Sequence, residues 1–414
     1  MAPAGPAVST DRFPASLRRA RRVARMRAQW VRDLRSWPHH RREIHSARPD
    51  PGSGLRLFNL DLHIGPVSDI RAVVTPLGVE LTDWTLSQHA EIIGRRREPV
   101  RACNAVTWRR ISPRMVQRFL DRYGRYLERY DGFVVTYPPV FAALFLPLGK
   151  PVVVVSTTRY EIPFTDDPAR WRWLDDVLIA ADREGQACFV ANNRGDRDYL
   201  RYFTGIQSRY IPSLCDYTAA PHRPSTDRFA IGGRAPEVFE RIRRATTGRA
   251  VPAPELFGPN APWATRHSVR GWIHVPYNVS QMTFFEQHSA AVPIYFPSDE
   301  LLDEWYRAES PGVLSELSMF QVLGLDPAGL EPGNPNRFQD EDTLRWWLAR
   351  ADFAAGATLG GAIRFSSVEE LAALLADQDD TEVSAQMRAV NEVRRAEAVA
   401  GWSEVVAWIR EAAR

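Results

Sequence analysis

From Leu55 onward, short apolar runs alternate with longer stretches of helical spacing, and this alternation narrows the fold more than any other feature of the chain. Leu55–Leu62, Phe133–Thr136, Val152–Ser156, Ala187–Ala191 and Arg209–Pro212 read as strands separated by helices, the pattern of a parallel α/β sheet. Gly149-Lys150-Pro151 is a turn feeding Val152-Val153-Val154-Val155, a strand with no polar face and therefore fully buried. The loop-rich stretch Cys215–Asp227, with Pro221 and Pro224, marks a linker. A second series then begins with Arg228–Ile231, the turn Gly232-Gly233-Arg234-Ala235-Pro236 and a helix over Pro236–Thr246, opened by a proline suited to a first turn. Pro254–Phe257 and Gly271–Val275 read as further strands. Two successive α/β halves amount to a coarse duplication of architecture. A chain of 414 residues is ample for two cores. The expected domains are residues 51–218 and 219–414, preceded by an extension over residues 1–50.

Composition sets the class. Apolar residues make up 44% and charged residues 25%, so the chain is globular and not disordered. Cys103, Cys188 and Cys215 are odd in number, far apart and without metal-ligand spacing; they read as thiols in a reducing, cytoplasmic compartment. The longest apolar stretch, Phe133–Val155, is broken by Pro138, Pro139, Pro147, Pro151 and Lys150, so no membrane span is expected. The start of the chain lacks a secretory pattern. A net charge of +3 gives no reason to expect nucleic acid as a partner.

The extension is the exception, with twelve arginines against four carboxylates. Leu17, Val23, Met26, Trp30, Val31 and Leu34 recur at roughly helical spacing, so residues 12–48 read as a basic amphipathic helix. Such a helix either packs on the core with its arginines in water or docks on anionic lipid headgroups, peripheral at the inner membrane face.

The most informative segment is VPYNVSQMTFFEQHSAAVPIYFPS, Val275–Ser298. A strand ends at Val275, and Asn278 and Gln281 have the spacing of a reciprocal helix cap. The helix is expected to run to about Ala291, with Pro293 opening the strand Ile294–Phe296. A helix start after a strand offers free N–H groups to an anion. Glu286 follows about two turns later.

Glu286, the small and apolar residues after it, and Pro293-Ile294 resemble the donor-site pattern of GT-B glycosyltransferases, the family-4-like nucleotide-sugar-dependent enzymes in particular. The resemblance implies two Rossmann-like domains facing a cleft. It makes Glu286 the ligand of the donor ribose hydroxyls and places Asn278-Val279-Ser280-Gln281 against the diphosphate or sugar. Two positions depart from the pattern: Asn278 stands where many relatives carry a glutamate, and Ala291 where they carry glycine. Thr136–Phe164, Ala181–Pro212 with Asn192-Asn193, and Trp346–Leu371 are similar to other units of that architecture. The last helix, within Asp379–Arg414, should cross back to the first domain.

Glycosyl transfer needs a stabilised leaving diphosphate and an acceptor hydroxyl held in line. Arginine suits the first task because its guanidinium grips phosphate oxygens in pairs. Arg234, beside Gly232-Gly233, is a candidate, as are Arg266 and Arg270. For an inverting reaction the base would come from Asp61 and His63, which strand alternation puts on one face, with Gly65 allowing backbone to approach a ligand. Histidine titrates near neutrality and suits proton transfer. With retention, the leaving phosphate itself could deprotonate the acceptor. The Asp-x-Asp spacings Asp196-Arg197-Asp198, Asp340-Glu341-Asp342 and Asp377-Gln378-Asp379 do not directly end buried strands, so no metal is expected, and no cofactor beyond the donor substrate. An epimerase on the same fold, or a non-catalytic sugar- or partner-binding module with Asn278 marking a decayed site, are the alternatives. A pyridoxal-phosphate phosphorylase is disfavoured, because the only lysine, Lys150, sits in a turn.

Overall fold

The computed structural model describes residues 54–87, 97–258, 261–308, 310–317, 329–354, 359–377 and 379–414, together with Ala90 and parts of the stretch from Ala24 to Ile44. Among these residues the strands form two parallel sheets. The first holds β1 (Leu55–Asp61), β2 (Val79–Thr85), β3 (Gly132–Val135), β4 (Val152–Ser156), β5 (Ala187–Ala191) and β6 (Arg209–Tyr210), in the order β2-β1-β3-β4-β5-β6. The second holds β7 (Phe229–Gly233), β8 (Ala250–Pro252), β9 (Gly271–Val275), β10 (Ile294–Pro297) and β11 (Ile363–Phe365), in the order β11-β10-β9-β7-β8. Read from its start, each half runs second strand, first, third and onward, so the duplicated architecture extends to strand order.

Local chemistry accounts for the elements that frame the cleft. All five residues of β4 are buried, as expected of a valine run covered on both faces. α1 (Ile64–Val74) follows β1 after only two residues. α2 (Pro113–Leu127) opens with proline at its first turn and buries Val116, Phe119, Tyr123 and Leu127, one stripe at helical spacing. α3 (Pro168–Arg183) crosses from β4 to β5, and α4 (Arg194–Thr204) is capped by Asn193, whose side chain accepts from the Asp196 amide at 2.7 Å.

In the second half, α5 (Pro236–Ala245) follows β7, α6 (Met282–Ser289) joins β9 to β10, and α7 (Asp299–Arg307) follows β10. α8 (Glu341–Leu348) and α9 (Val368–Asp377) flank β11. Two local readings are corrected. Ala253–Leu256 is a short helix with proline in its first turn, and the strand lies just before it, at Ala250–Pro252. α6 starts at Met282 with Gln281 as its cap residue, so Asn278 and Gln281 do not form a capping box; the Asn278 side chain instead accepts from the Val279 amide at 2.8 Å.

α10 (Asp380–Ala412) is a 33-residue helix that crosses between the halves. Its first turns pack on the second half, where Asp380 pairs with Arg270 at 2.5 Å and Met387 is fully buried. Its last turns bury Trp402, Val405, Val406 and Ile409 against Leu55, Val153 and Val190 of the first sheet. Each such side chain contributes roughly 1.5–3 kcal/mol when fully buried. Midway, the buried Arg394 donates to the Ser213 carbonyl, between β6 and the linker, and to Asn391 Oδ1 at 2.7 Å, and lies 2.8 Å from His288 Nδ1 of α6.

Most of the basic helix expected over residues 12–48 lies outside the described residues. Within it, Arg35–Arg42 is helical, Val31 is exposed, and Trp37, His40 and Ile44 are buried. Trp37 meets the edge of Tyr123 of α2, with ring centroids 6.5 Å apart, and carries the Arg101 and Arg122 guanidiniums at 4.6 and 5.4 Å. The end of the extension is therefore part of the first domain's core. No described helix is long and apolar enough to cross a membrane.

Candidate active site

In an open parallel sheet a crevice forms where neighbouring strands send their chains to opposite faces, beyond their C-terminal ends. The first sheet has that point between β1 and β3, the second between β7 and β9. The two points face each other across a cavity of about 540 Å³. Its first wall is built by Leu62, His63 and Pro66 after β1, Tyr137 after β3, Thr157 and Thr158 after β4, and the Ala105–Arg109 loop. Its second wall is built by Arg234 after β7, Tyr277 to Met282 after β9, and Glu316. A larger cavity of about 830 Å³ lies between Arg35–Arg42 and α2, walled by Arg41, Arg101, Arg118 and Arg122. It takes no residue from the second domain, so the cleft cavity, where polar groups of both halves converge, is the candidate site.

His63 is exposed at the mouth of α1, with its ring 5.7 Å from that of Tyr137. A hydrogen bond from the Leu62 amide to the Tyr137 carbonyl, at 2.8 Å, ties the two strand ends together. Asp61 lies beneath them. It is fully buried, accepts from the Thr85 hydroxyl at 3.2 Å and does not line the cavity. The alternation that would set it beside His63 stops because β1 ends at Asp61 and the chain turns into α1.

On the facing wall, Arg234 donates from Nη1 to Glu316 at 2.6 Å and lies over the Tyr277 ring, 3.7 Å from its centroid. Asn278 Nδ2 donates to the other Glu316 oxygen at 3.2 Å. Gly233 has φ of +139°, and a Cβ there would stand 2.3 Å from the Val275 carbonyl oxygen. The glycine lets β7 crowd β9 and delivers Arg234 to the crevice. Ser280 lines the cavity, and Asp352 near it is a buried carboxylate pushed up to about 7 by desolvation, with neither oxygen hydrogen-bonded. Gln281 Nε2 reaches the Asn278 carbonyl at 3.3 Å.

Two of the residues expected at the donor lie elsewhere. Arg270 precedes β9, at the end of the strand away from the cleft, and pairs with Asp227 at 3.1 Å and with Asp380. Glu286 is buried on α6 and accepts the Tyr217 hydroxyl of the linker, outside the cavity lining. Burial pushes its carboxyl up to about 7, against the lowering effects of the Tyr217 hydrogen bond and of Arg266 and with a small addition from Asp69. Arg266 itself donates to the Ala261 carbonyl at 3.0 Å and lies over the Trp263 ring.

Among the Asp-x-Asp pairs, Asp196 is held by Asn193, and Asp198 by Arg197 and Arg350. Tyr137, Tyr277, Trp108, Arg109 and Glu316 line the cavity without having stood out in the sequence. Position directly after a strand end was a usable signal for Tyr137 and Tyr277. Glu316 arrives from a loop, with no local pattern to mark it.

Two Rossmann-like halves of matching strand order, with facing switch points and a crossing C-terminal helix, define a GT-B type of fold. Among solved structures, the chain is similar to the glycosyltransferase SnogD from Streptomyces nogalater, at 14% identity and TM-score 0.42, over 86% of this chain and 100% of that one. It is also similar to the glycotransferase of kitacinnamycin, at 12% identity and TM-score 0.42, over the same shares. No family model matches the sequence, and no curated protein matches it. The fold assignment rests on the two sheets themselves.

Proposed function

We propose that the cleft transfers a sugar from a nucleotide-sugar donor to an acceptor hydroxyl. The observation that carries this reading is the meeting of two switch points, with His63 on one wall and Arg234, Asn278 and Ser280 on the other, across one cavity. In the reaction the acceptor oxygen forms a bond to the anomeric carbon as the bond from that carbon to the diphosphate oxygen breaks. The bonding pair leaves on the diphosphate, where Arg234 meets the growing negative charge. His63 takes the acceptor proton, and Tyr137 and Trp108 supply flat apolar surface for the acceptor.

Asn278 and Ser280 provide neutral polar contacts to the sugar, and a cation is not required where arginine does the work of charge stabilisation. The basic stretch within residues 12–48 is read as a peripheral contact with anionic lipid on the cytoplasmic face, beside its packing role at Trp37. Incubation with a panel of nucleotide sugars tests the reading. The expected result is release of nucleoside diphosphate from one donor class, lost in His63→Ala with an unchanged melting temperature. Equal release by the variant would remove His63 from the chemistry, and no release from any donor would leave a binding module.

A further inference from the structure

The second sheet's switch point is covered by the chain itself. After α7, residues 310–317 fold back over the ends of β7 and β9, with Leu314 N bonded to the Pro276 carbonyl at 2.8 Å and Glu316 N to the Tyr277 carbonyl at 2.9 Å. Val313, Leu314 and Leu317 are buried, and Arg159 of the first domain donates to the Leu317 carbonyl at 2.7 Å. Gly312, at φ of +97°, lies so close that a Cβ would stand 1.9 Å from the Arg234 carbonyl oxygen. The loop is thus pinned by backbone bonds, and what it offers to the cavity is the Glu316 carboxylate. That carboxylate takes Arg234 on one oxygen and Asn278 on the other.

We propose that Glu316 is a built-in counterion, a positioning residue that holds Arg234 over Tyr277 while the site is empty and yields it to the donor diphosphate. The inference rests on the donor reading of Arg234 given above. A carboxylate is the natural stand-in, since it offers the guanidinium the same paired oxygens as a phosphate. The exchange is easy because both partners are substantially exposed, at 51% and 39% of their side-chain surface. A pair of that exposure shifts an equilibrium by no more than about fivefold. A diphosphate brings more charge than a single carboxylate, so it displaces Glu316, and Asn278 Nδ2 is released with Arg234 to face the ligand. Glu316 then repels the bound phosphates and limits donor affinity.

Isothermal titration of the full chain with uridine, guanosine and thymidine diphosphates tests this, with Glu316→Gln, Arg234→Gln and the double variant beside the wild type and melting curves for each. Glu316→Gln should tighten the diphosphate that binds by about two- to fivefold. On the Arg234→Gln background the same change should have a clearly smaller effect, a coupling that a merely structural loop contact would not produce. Should Glu316→Gln unfold, Glu316→Ala serves, because the pinning bonds of residue 316 are made by its backbone. If Arg234→Gln weakens binding while neither Glu316 variant tightens it, the counterion role fails and the donor site stands. Weaker binding in both Glu316 variants would also overturn it, by making Glu316 a direct donor contact. Unchanged binding in Arg234→Gln, or no diphosphate bound by the wild type, would remove the donor reading and the inference with it.

Discussion

Tyr217 of the linker donates its hydroxyl hydrogen to the Glu286 carboxylate of α6, joining the crossing between the two sheets to the helix after β9. The bond sits in a buried group that includes Asp69, which accepts the Leu214 amide at 3.0 Å and the Cys215 amide at 2.6 Å and is itself pushed up to about 6 by burial. Glu286 therefore does structural work at the domain junction.

Its effect on stability should depend on pH with a definite sign. Burial raises the folded carboxyl from 4.5 to about 7, so the protonated form is the one the fold favours. The favourable contribution is complete below the unfolded value near 4.5 and is lost as pH rises through about 7. Glu286→Gln keeps an acceptor for Tyr217 and cannot ionise. Relative to the wild type its stability should rise between pH 5 and 8 by up to about 3 kcal/mol, read by denaturant unfolding at each pH. A difference that stays flat with pH would show that the carboxylate is not strained in the fold.

Arg394 should prove more costly to remove. Its guanidinium is buried between the Ser213 carbonyl, just before the linker, and the α6 residue His288, so Arg394→Met leaves that carbonyl without its donor. Loss of about 2–4 kcal/mol in unfolding free energy is expected, with Arg394→Lys intermediate. A loss below about 0.5 kcal/mol would mean that Arg394 does not hold the junction together.

Removing the extension should separate its two roles. Deleting residues 1–34 leaves Trp37, His40 and Ile44 in place, so folding should be retained while binding to anionic vesicles at low salt falls. Deleting residues 1–48 removes all three buried side chains and should lower the melting temperature as well. Equal melting temperatures for the two deletions would contradict the packing seen at Trp37.

On the proposed function, catalysis without a cation is expected, since Arg234 and not a carboxylate pair stands at the second wall of the cleft. Turnover with the matching donor should survive EDTA with little loss. A collapse that Mn²⁺ or Mg²⁺ restores would contradict that.

The two α/β halves were legible because inner strands such as β3, β4 and β5 are short apolar runs, and the crossing helix because apolar residues recur along α10, interrupted midway by the buried Arg394. β2 and β11 were not. Val79–Thr85 mixes Glu80 and Asp83 into a strand near the sheet edge, and Ile363–Phe365 is too short to show a period. The site was legible in part. His63, Arg234, Asn278, Ser280 and Gln281 follow strand ends and do meet in the cleft. Arg270 misled because an arginine beside a strand can stand at either end of it, and Glu286 because a motif fixes its place on α6 but not which way that face turns. Glu316 comes from a loop 38 residues beyond Asn278, a pairing that only the folded chain displays.

The central claim is that Arg234 receives the phosphates of a nucleotide-sugar donor in the cleft. Titration of the nucleoside diphosphate that binds the wild type against Arg234→Gln tests it most directly. A rise in Kd of about tenfold or more is expected, from the loss of a charge-assisted paired contact, with an unchanged melting temperature for a side chain half in water. An unchanged Kd, or no diphosphate bound at all by the wild type, would contradict it.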